Sequence, residues 1–245
     1  MSIRTVSYGD DPSQFAELYE PAGESRGVVV VIHGGFWKAA YDTSLGRPLA
    51  GSLADAGWTA WNLEYRRVGN GGGVPQTLDD VAAGIDALAD VEGLDTSRVI
   101  TLGHSAGGHL AAWAASRGRF ERWQPVRVAV TGVVAQAGVL DLHAAHELGL
   151  GDGAVESFLG RPPGPADDSG DPLRQVPLGV PVRCVHGRDD ATVPTSQSIS
   201  YVAAATAAGA DASLTEVDGG HFVVIDPDSE AWARTLDLLA SLQNG

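Results

Sequence analysis

Arg98-Val99-Ile100-Thr101-Leu102-Gly103-His104-Ser105-Ala106-Gly107-Gly108-His109-Leu110 joins a β-branched apolar run to a helical one through a serine flanked by small residues. Arg98 to Leu102 has the pattern of a buried strand, and Leu110 to Ala115 places apolar residues at helical spacing. A turn this tight needs neighbours without bulk, so that the backbone closes while the serine side chain is lifted clear. With 32 glycines the chain also contains a second Gly-x-Ser-x-Gly match, Gly23-Glu24-Ser25-Arg26-Gly27. Context separates them. Ser105 lies between a strand and a helix, whereas Ser25 leads into a strand and is expected in a surface turn.

Outward from this stretch the alternation continues. Short apolar runs bounded by turn residues occur at Gly27 to Ile32, Trp58 to Leu63, Val128 to Val134, Val180 to Val185 and, more weakly, Ala212 to Val217. Between them Leu45 to Ala56, Leu78 to Leu88, Ser196 to Ala208 and Ala231 to Leu242 carry helical periodicity. Thr77 and Asp80, three apart ahead of Val81, read as a helix start. Strands alternating with helices predict an α/β domain with a mostly parallel central sheet and helices on both faces. Thr5 to Tyr8 and Phe15 to Tyr19 precede the first buried strand and are expected as an antiparallel edge pair. The whole chain, 1–245, reads as one such domain, broken by a Gly-, Pro- and Asp-rich stretch at 141–180. A stretch that long without regular patterning is expected to be a lid or binding insertion.

Composition narrows the partners. The formal charge is −15, with 44% hydrophobic and 19% charged residues, which is globular and repels polyanions. No basic run suits nucleic acid, no apolar run is long enough for a bilayer, and the polar start Met1-Ser2-Ile3-Arg4-Thr5 lacks the features of a secretory signal. A cytoplasmic protein acting on a small molecule is the expectation, and nothing in the sequence sets its oligomeric state. The single cysteine, Cys184, sits in an apolar run and is expected to be a buried thiol. No Cys/His spacing suggests a metal, and no cofactor is expected.

A serine hydroxyl is a weak nucleophile, so Ser105 needs a histidine to take its proton and a carboxylate to hold that histidine in one tautomer. His221, in Asp218-Gly219-Gly220-His221-Phe222 after the last strand signal, is the favoured base. His109 is too near on the same helix, His143 and His146 are expected in a solvated lid helix, and His186 ends a strand. The loop His186-Gly187-Arg188-Asp189-Asp190-Ala191-Thr192-Val193-Pro194 offers both Asp189 and Asp190 as the acid. Acyl transfer also needs N–H donors for an oxyanion. The amides of Gly35 and Phe36 in His33-Gly34-Gly35-Phe36-Trp37, with that of Ala106, are the candidates. Trp37, Tyr65, Phe158 and Phe222 are candidates for an aromatic substrate pocket, and Gly69 to Gly73 for one of its walls.

Taken together, the His33 to Trp37 element, the Gly103 to Leu110 elbow, the acid loop and the His221-Phe222 pair resemble the α/β-hydrolase superfamily. Within it the resemblance points toward hormone-sensitive-lipase-like esterases and kynurenine formamidases. It implies an H-G-x-x-D-x-x-V-P acid loop, which selects Asp190, and a substrate that is a small or aromatic ester, or an aryl formamide. The chain departs from the lipase-like pattern in having Phe36 at the usual third glycine, and its first 26 residues are too few for the N-terminal cap many such esterases carry. A non-catalytic binding protein on the same scaffold is the remaining alternative.

Overall fold

Val28–Ile32, Thr59–Leu63, Val99–His104 and Gly132–Gln136 form strands in which every residue is buried. Strands covered on both faces need a layer of structure on each side. The computed structural model, which describes residues 2–243, supplies those layers. The eight strands are β1 (Ser2–Ser7), β2 (Phe15–Glu20), β3 (Val28–Ile32), β4 (Thr59–Leu63), β5 (Val99–His104), β6 (Gly132–Gln136), β7 (Val182–Gly187) and β8 (Ala212–Val217). They form one sheet in the order β1-β2-β4-β3-β5-β6-β7-β8. β1 with β2 and β2 with β4 pair antiparallel, and every other neighbouring pair is parallel.

Among the described residues seven α-helices flank the sheet: α1 (Arg47–Asp55), α2 (Gln76–Asp86), α3 (Ala106–Ala114), α4 (Leu142–Glu147), α5 (Leu150–Leu159), α6 (Ser196–Ala207) and α7 (Glu230–Ser241). The side-chain alternation of a strand sorts β3 between two cores. Val28, Val30 and Ile32 join Leu110, Trp113 and Val81 on one face, while Val29 and Val31 join Leu49, Leu53 and Trp232 on the other. Each fully buried Val, Leu or Ile contributes about 1.5–3 kcal/mol. Among the described residues no helix is long and apolar enough to cross a membrane.

Two local expectations fail for reasons of hydrogen bonding. Val128 to Val130 stay outside β6. The amide of Val128 donates to Asp86 Oδ1 at 3.0 Å and its carbonyl accepts from Arg117 at 2.6 Å, so side chains take the groups a ladder would use. Thr77 and Asp80 do not cap α2, which starts earlier. Thr77 Oγ1 donates to the Arg66 carbonyl (2.6 Å), and Asp80 pairs with the Arg66 guanidinium (2.7 Å), so both residues hold the loop before the helix.

Residues 141–180 fold into α4, α5 and the short 3-10 turns Pro165–Gly170 and Pro172–Gln175. Leu142, Ala145, Val155 and Phe158 enter the same core as α2 and α3. Buried Asp171 accepts from the amides of Leu142 (3.2 Å) and Leu173 (3.1 Å), and burial reinforced by Asp141 pushes its carboxyl up to about 6. His143 and His146 are half-buried instead of solvated, because α4 packs on the domain. Cys184 is buried, and Ser25 sits in an exposed turn with its hydroxyl donating to the Gly27 carbonyl.

A Cβ built on Gly107 would lie 2.0 Å from the Ile32 carbonyl oxygen, whereas one on Gly51, inside α1, would meet nothing within 4 Å. Gly107→Ala should therefore cost about 3 kcal/mol, while Gly51→Ala should stabilise by about 0.4–1 kcal/mol. Urea unfolding of both variants checks this, and an unchanged midpoint for Gly107→Ala would contradict the packing described.

Candidate active site

β5 ends at His104 and α3 begins at Ala106, so Ser105 alone makes the turn. Its φ of 56° and ψ of −118° lie where a non-glycine residue is strained, at a cost of about 1–3 kcal/mol. Backbone bonds hold it there: its amide donates to the Gln136 carbonyl of β6 (2.9 Å), and its carbonyl accepts from Gly108 (2.9 Å). A Cβ on Gly103 would sit 2.0 Å from the Gly107 carbonyl oxygen, so glycine is what lets the elbow close against β3. The N-terminus of α3, the positive end of its dipole, opens immediately beside the serine.

The segment after β3 turns through three successive left-handed residues, Gly35 (φ 109°), Phe36 (52°) and Trp37 (55°). A Cβ on Gly34 would approach Ser105 Cβ to 3.1 Å, so this turn rests against the elbow. Among the described residues the amides of Gly35, Phe36 and Ala106 donate to no protein acceptor. Beneath the turn lies a buried polar group. His33 Nδ1 donates to the Gly34 carbonyl (2.8 Å), Arg67 Nη1 reaches His33 Nε2 (3.4 Å) and also pairs with Glu64, and Glu64 accepts from the Thr43 amide (2.9 Å). Burial pushes the His33 imidazole down to about 3, so it is a neutral strut. The only sequence signal was a charged residue, Glu64, directly after an apolar strand.

On the far side of β5, the loops after β7 and β8 meet. His221 Nδ1 donates to Asp190 Oδ2 at 2.7 Å. The other carboxylate oxygen accepts from the Thr192 and Val193 amides, both at 2.8 Å. Burial raises the Asp190 carboxyl, but hydrogen bonds from His186, His221 and the Val193 amide outweigh it and hold the group well below the usual carboxylate range. Asp189 is exposed and joins the loop only through its backbone, its amide donating to Gly219 O at 3.0 Å. His104 Nε2 donates to the His221 carbonyl (2.9 Å), its ring 4.4 Å from that of His221. Burial keeps His104 neutral, its value pushed down to about 3.

The aromatic candidates divide. Trp37, Tyr65 and Phe158 are buried, as are Ser105 and His221. Trp37 stacks on Phe158 (4.5 Å) and donates its indole N–H to His109 Nδ1 (3.3 Å), whose Nε2 donates to Gly170 O (2.8 Å). Tyr65 stacks on His33 and donates to its carbonyl (2.6 Å). Phe222 is 66% exposed, its ring 5.2 Å from that of His221. In the Gly69 to Gly73 run, Gly71 and Gly72 lie against Arg66 and Arg67, Gly69 faces Ala39, and Gly73 faces the Phe158 carbonyl. Among the described residues no group of three or more His, Cys, Asp or Glu side chains is arranged to hold a metal ion.

Residues 16–204 match the family model BD-FAE. The chain belongs to the BD-FAE family. Its relatives include a probable isoprenylcysteine alpha-carbonyl methylesterase of Oryza sativa subsp. japonica, 27% identical over 89% of this chain. Esterase LipC of Mycobacterium tuberculosis is 26% identical over 81% of it. The BD-FAE chain spans only 57% and 54% of the lengths of those two proteins. In fold it is similar to a truncated carbohydrate esterase from gut microbiota, with a TM-score of 0.86, 20% identity and coverage of 100% of this chain and 97% of the other. The α/β-hydrolase fold expected from the sequence is therefore the fold of this BD-FAE protein.

Because the Asp190 carboxyl is depressed in the folded state, its contribution is fully present above the unfolded value of about 3.9 and is lost as pH falls through the folded one. Asp190→Asn should cost about 1.5–3 kcal/mol at pH 7. That deficit should shrink as pH falls below about 4. Asp189→Asn should stay within about 0.5 kcal/mol of the parent. Urea titrations at pH 7 and pH 3 read both, and a deficit that does not shrink in acid would contradict the assignment.

Proposed function

We propose that this BD-FAE protein is a carboxylic ester hydrolase whose nucleophile, base and acid are Ser105, His221 and Asp190. One observation carries the reading. Ser105, held in a strained turn after β5, opens at the same ends of the parallel strands as the hydrogen-bonded Asp190–His221 pair after β7 and β8. Parallel strands bring their following loops to one edge of the sheet, where a substrate meets all of them at once.

In this reading Ser105 Oγ attacks the acyl carbon and His221 Nε2 takes the hydroxyl proton. Asp190 holds the proton on Nδ1 and stabilises the imidazolium as it forms. The amides of Gly35, Phe36 and Ala106 receive the negative oxygen, at about 3 kcal/mol per donor. His221 returns the proton to the departing alcohol, and a water, activated by the same imidazole, then releases the acyl group from Ser105. The Trp37–Phe158–His109 stack fills the space behind the oxyanion turn, which suits a small acyl group, with the rest of the ester over the Phe222 ring. The names of the relatives favour an ester over an aryl formamide. An intact nucleophile, base and acid disfavour a binding protein that has lost its chemistry.

Purified protein should react with a fluorophosphonate probe and hydrolyse p-nitrophenyl acetate with a kcat/KM above that for N-formylkynurenine. Ser105→Ala should abolish both labelling and turnover while leaving the urea midpoint unchanged. Absence of labelling in the parent protein would indicate a binding scaffold, and a higher kcat/KM for the formamide would move the substrate class. Since the base must be neutral, kcat/KM should fall tenfold per pH unit on an acid limb. His221→Ala should lose most activity at every pH, and an unchanged acid limb in that variant would remove His221 from the mechanism.

A further inference from the structure

Asp190 has a second histidine. His186, at the end of β7, is fully buried, and its Nε2 lies 3.2 Å from Asp190 Oδ2, the same oxygen that accepts from His221 at 2.7 Å. Nε2 is also 2.9 Å from the Val193 carbonyl. Two acceptors face this nitrogen, so it carries the proton, and Nδ1 is left to accept from the hydroxyl of Ser198 on α6 at 2.8 Å. Every polar atom of the ring has a partner, and the tautomer is set by its surroundings.

We propose that His186 is a positioning residue for the hydrolytic reaction: its Nε2–H, bonded to Val193 O and 3.2 Å from Asp190 Oδ2, backs the carboxylate against His221 and moderates the charge that His221 faces. The inference rests on the reading of Ser105, His221 and Asp190 as an ester-cleaving set. The carboxylate is held on two sides. The Thr192 and Val193 amides fix Oδ1, and His186 fixes Oδ2 against rotation away from the base. The positive end of the Nε2–H dipole beside Oδ2 offsets part of the charge on the atom that stabilises the imidazolium, so its loss makes that oxygen a stronger partner for charged His221.

The groups that bear on this pair come from several elements. His221 faces Asp190 and the neutral ring of His104 after β5. His186 faces Asp190, Ser198 and, through Ser198, the buried Cys184 thiol of β7, with Tyr201 of α6 next to that thiol. Arg188 and Asp218 pair with each other at the exposed rim. None of these supplies a second hydrogen bond to Asp190 Oδ2, so His186 has no substitute.

The test measures kcat, KM and the pH profile with p-nitrophenyl acetate for His186→Leu, His186→Gln and Ser198→Ala, each with its urea midpoint. In His186→Leu, kcat should fall about 10–100-fold with KM nearly unchanged, the scale expected of a misaligned catalytic group. The acid limb of kcat/KM should move to higher pH. His186→Gln, whose side-chain amide donates from near the Nε2 position, should restore both. Ser198→Ala, which frees the ring to tilt, should move the limb the same way by a smaller amount. A purely structural role for His186 lowers the urea midpoint and leaves the limb where it is, which overturns the proposal. If His186→Leu does not fold, the limb in Ser198→Ala decides: an upward shift supports the proposal and an unmoved one overturns it. A parent protein that does not hydrolyse the ester fails the functional reading itself, an outcome separate from an active parent whose His186 variants keep its profile.

Discussion

The structure depends on one close backbone contact, the approach of α3 to the ends of β3 and β5. Gly103 and Gly107 bring the elbow within a distance that a single Cβ would forbid, with virtual contacts of 2.0 Å to the Gly107 and Ile32 carbonyl oxygens. That approach makes Ser105 hold a positive φ, seats it against the Gly34–Trp37 turn, and points the start of α3 at the serine. The strain of about 1–3 kcal/mol is small beside the two cores that β3 and β5 help to fill, so packing over-determines the turn.

Around this point the protein uses buried polar groups as struts, and histidines do most of that work. His33, His104 and His109 are all buried, and burial drives each down, to about 3, 3 and 4, so none carries charge at neutral pH. Each bonds a backbone carbonyl that matters locally: Gly34 in the turn after β3, His221 after β8, and Gly170 in the 141–180 segment. A neutral imidazole offers one donor and one acceptor on a rigid ring, which suits it to bridging loops from different strands without the cost of a buried ion.

The 141–180 segment shows how a stretch of weak patterning becomes part of a core. Its glycines, prolines and aspartates end helices and build turns, yet Leu142, Val155 and Phe158 still find the hydrophobic layer of α2 and α3. Asp171 and His109 tie that layer together by hydrogen bonds to backbone. Phe158 then backs Trp37, so the segment supports the Gly35 to Trp37 turn from behind.

By itself the sequence determined the alternation of strands and helices, because β-branched runs and three-to-four spacing report burial directly. It also singled out Ser105, since only one Gly-x-Ser-x-Gly match joins a strand to a helix, and His221, since a glycine-flexed loop follows the last strand. Local pattern could not decide between Asp189 and Asp190; the family resemblance did. In the structure the Thr192 and Val193 amides hold one Asp190 oxygen and His221 the other, while Asp189 is exposed. Nor did it distinguish Trp37, Tyr65 and Phe158, which are buried, from exposed Phe222, because an aromatic residue reads the same in a wall as on a rim. The placing of His33 against Arg67, which pairs with Glu64, and of His186 against Asp190, was set by tertiary structure alone. Hydrogen-bond partners of buried polar groups are chosen by which loops the sheet brings to one edge, and that neighbourhood exists only once the strands are in order.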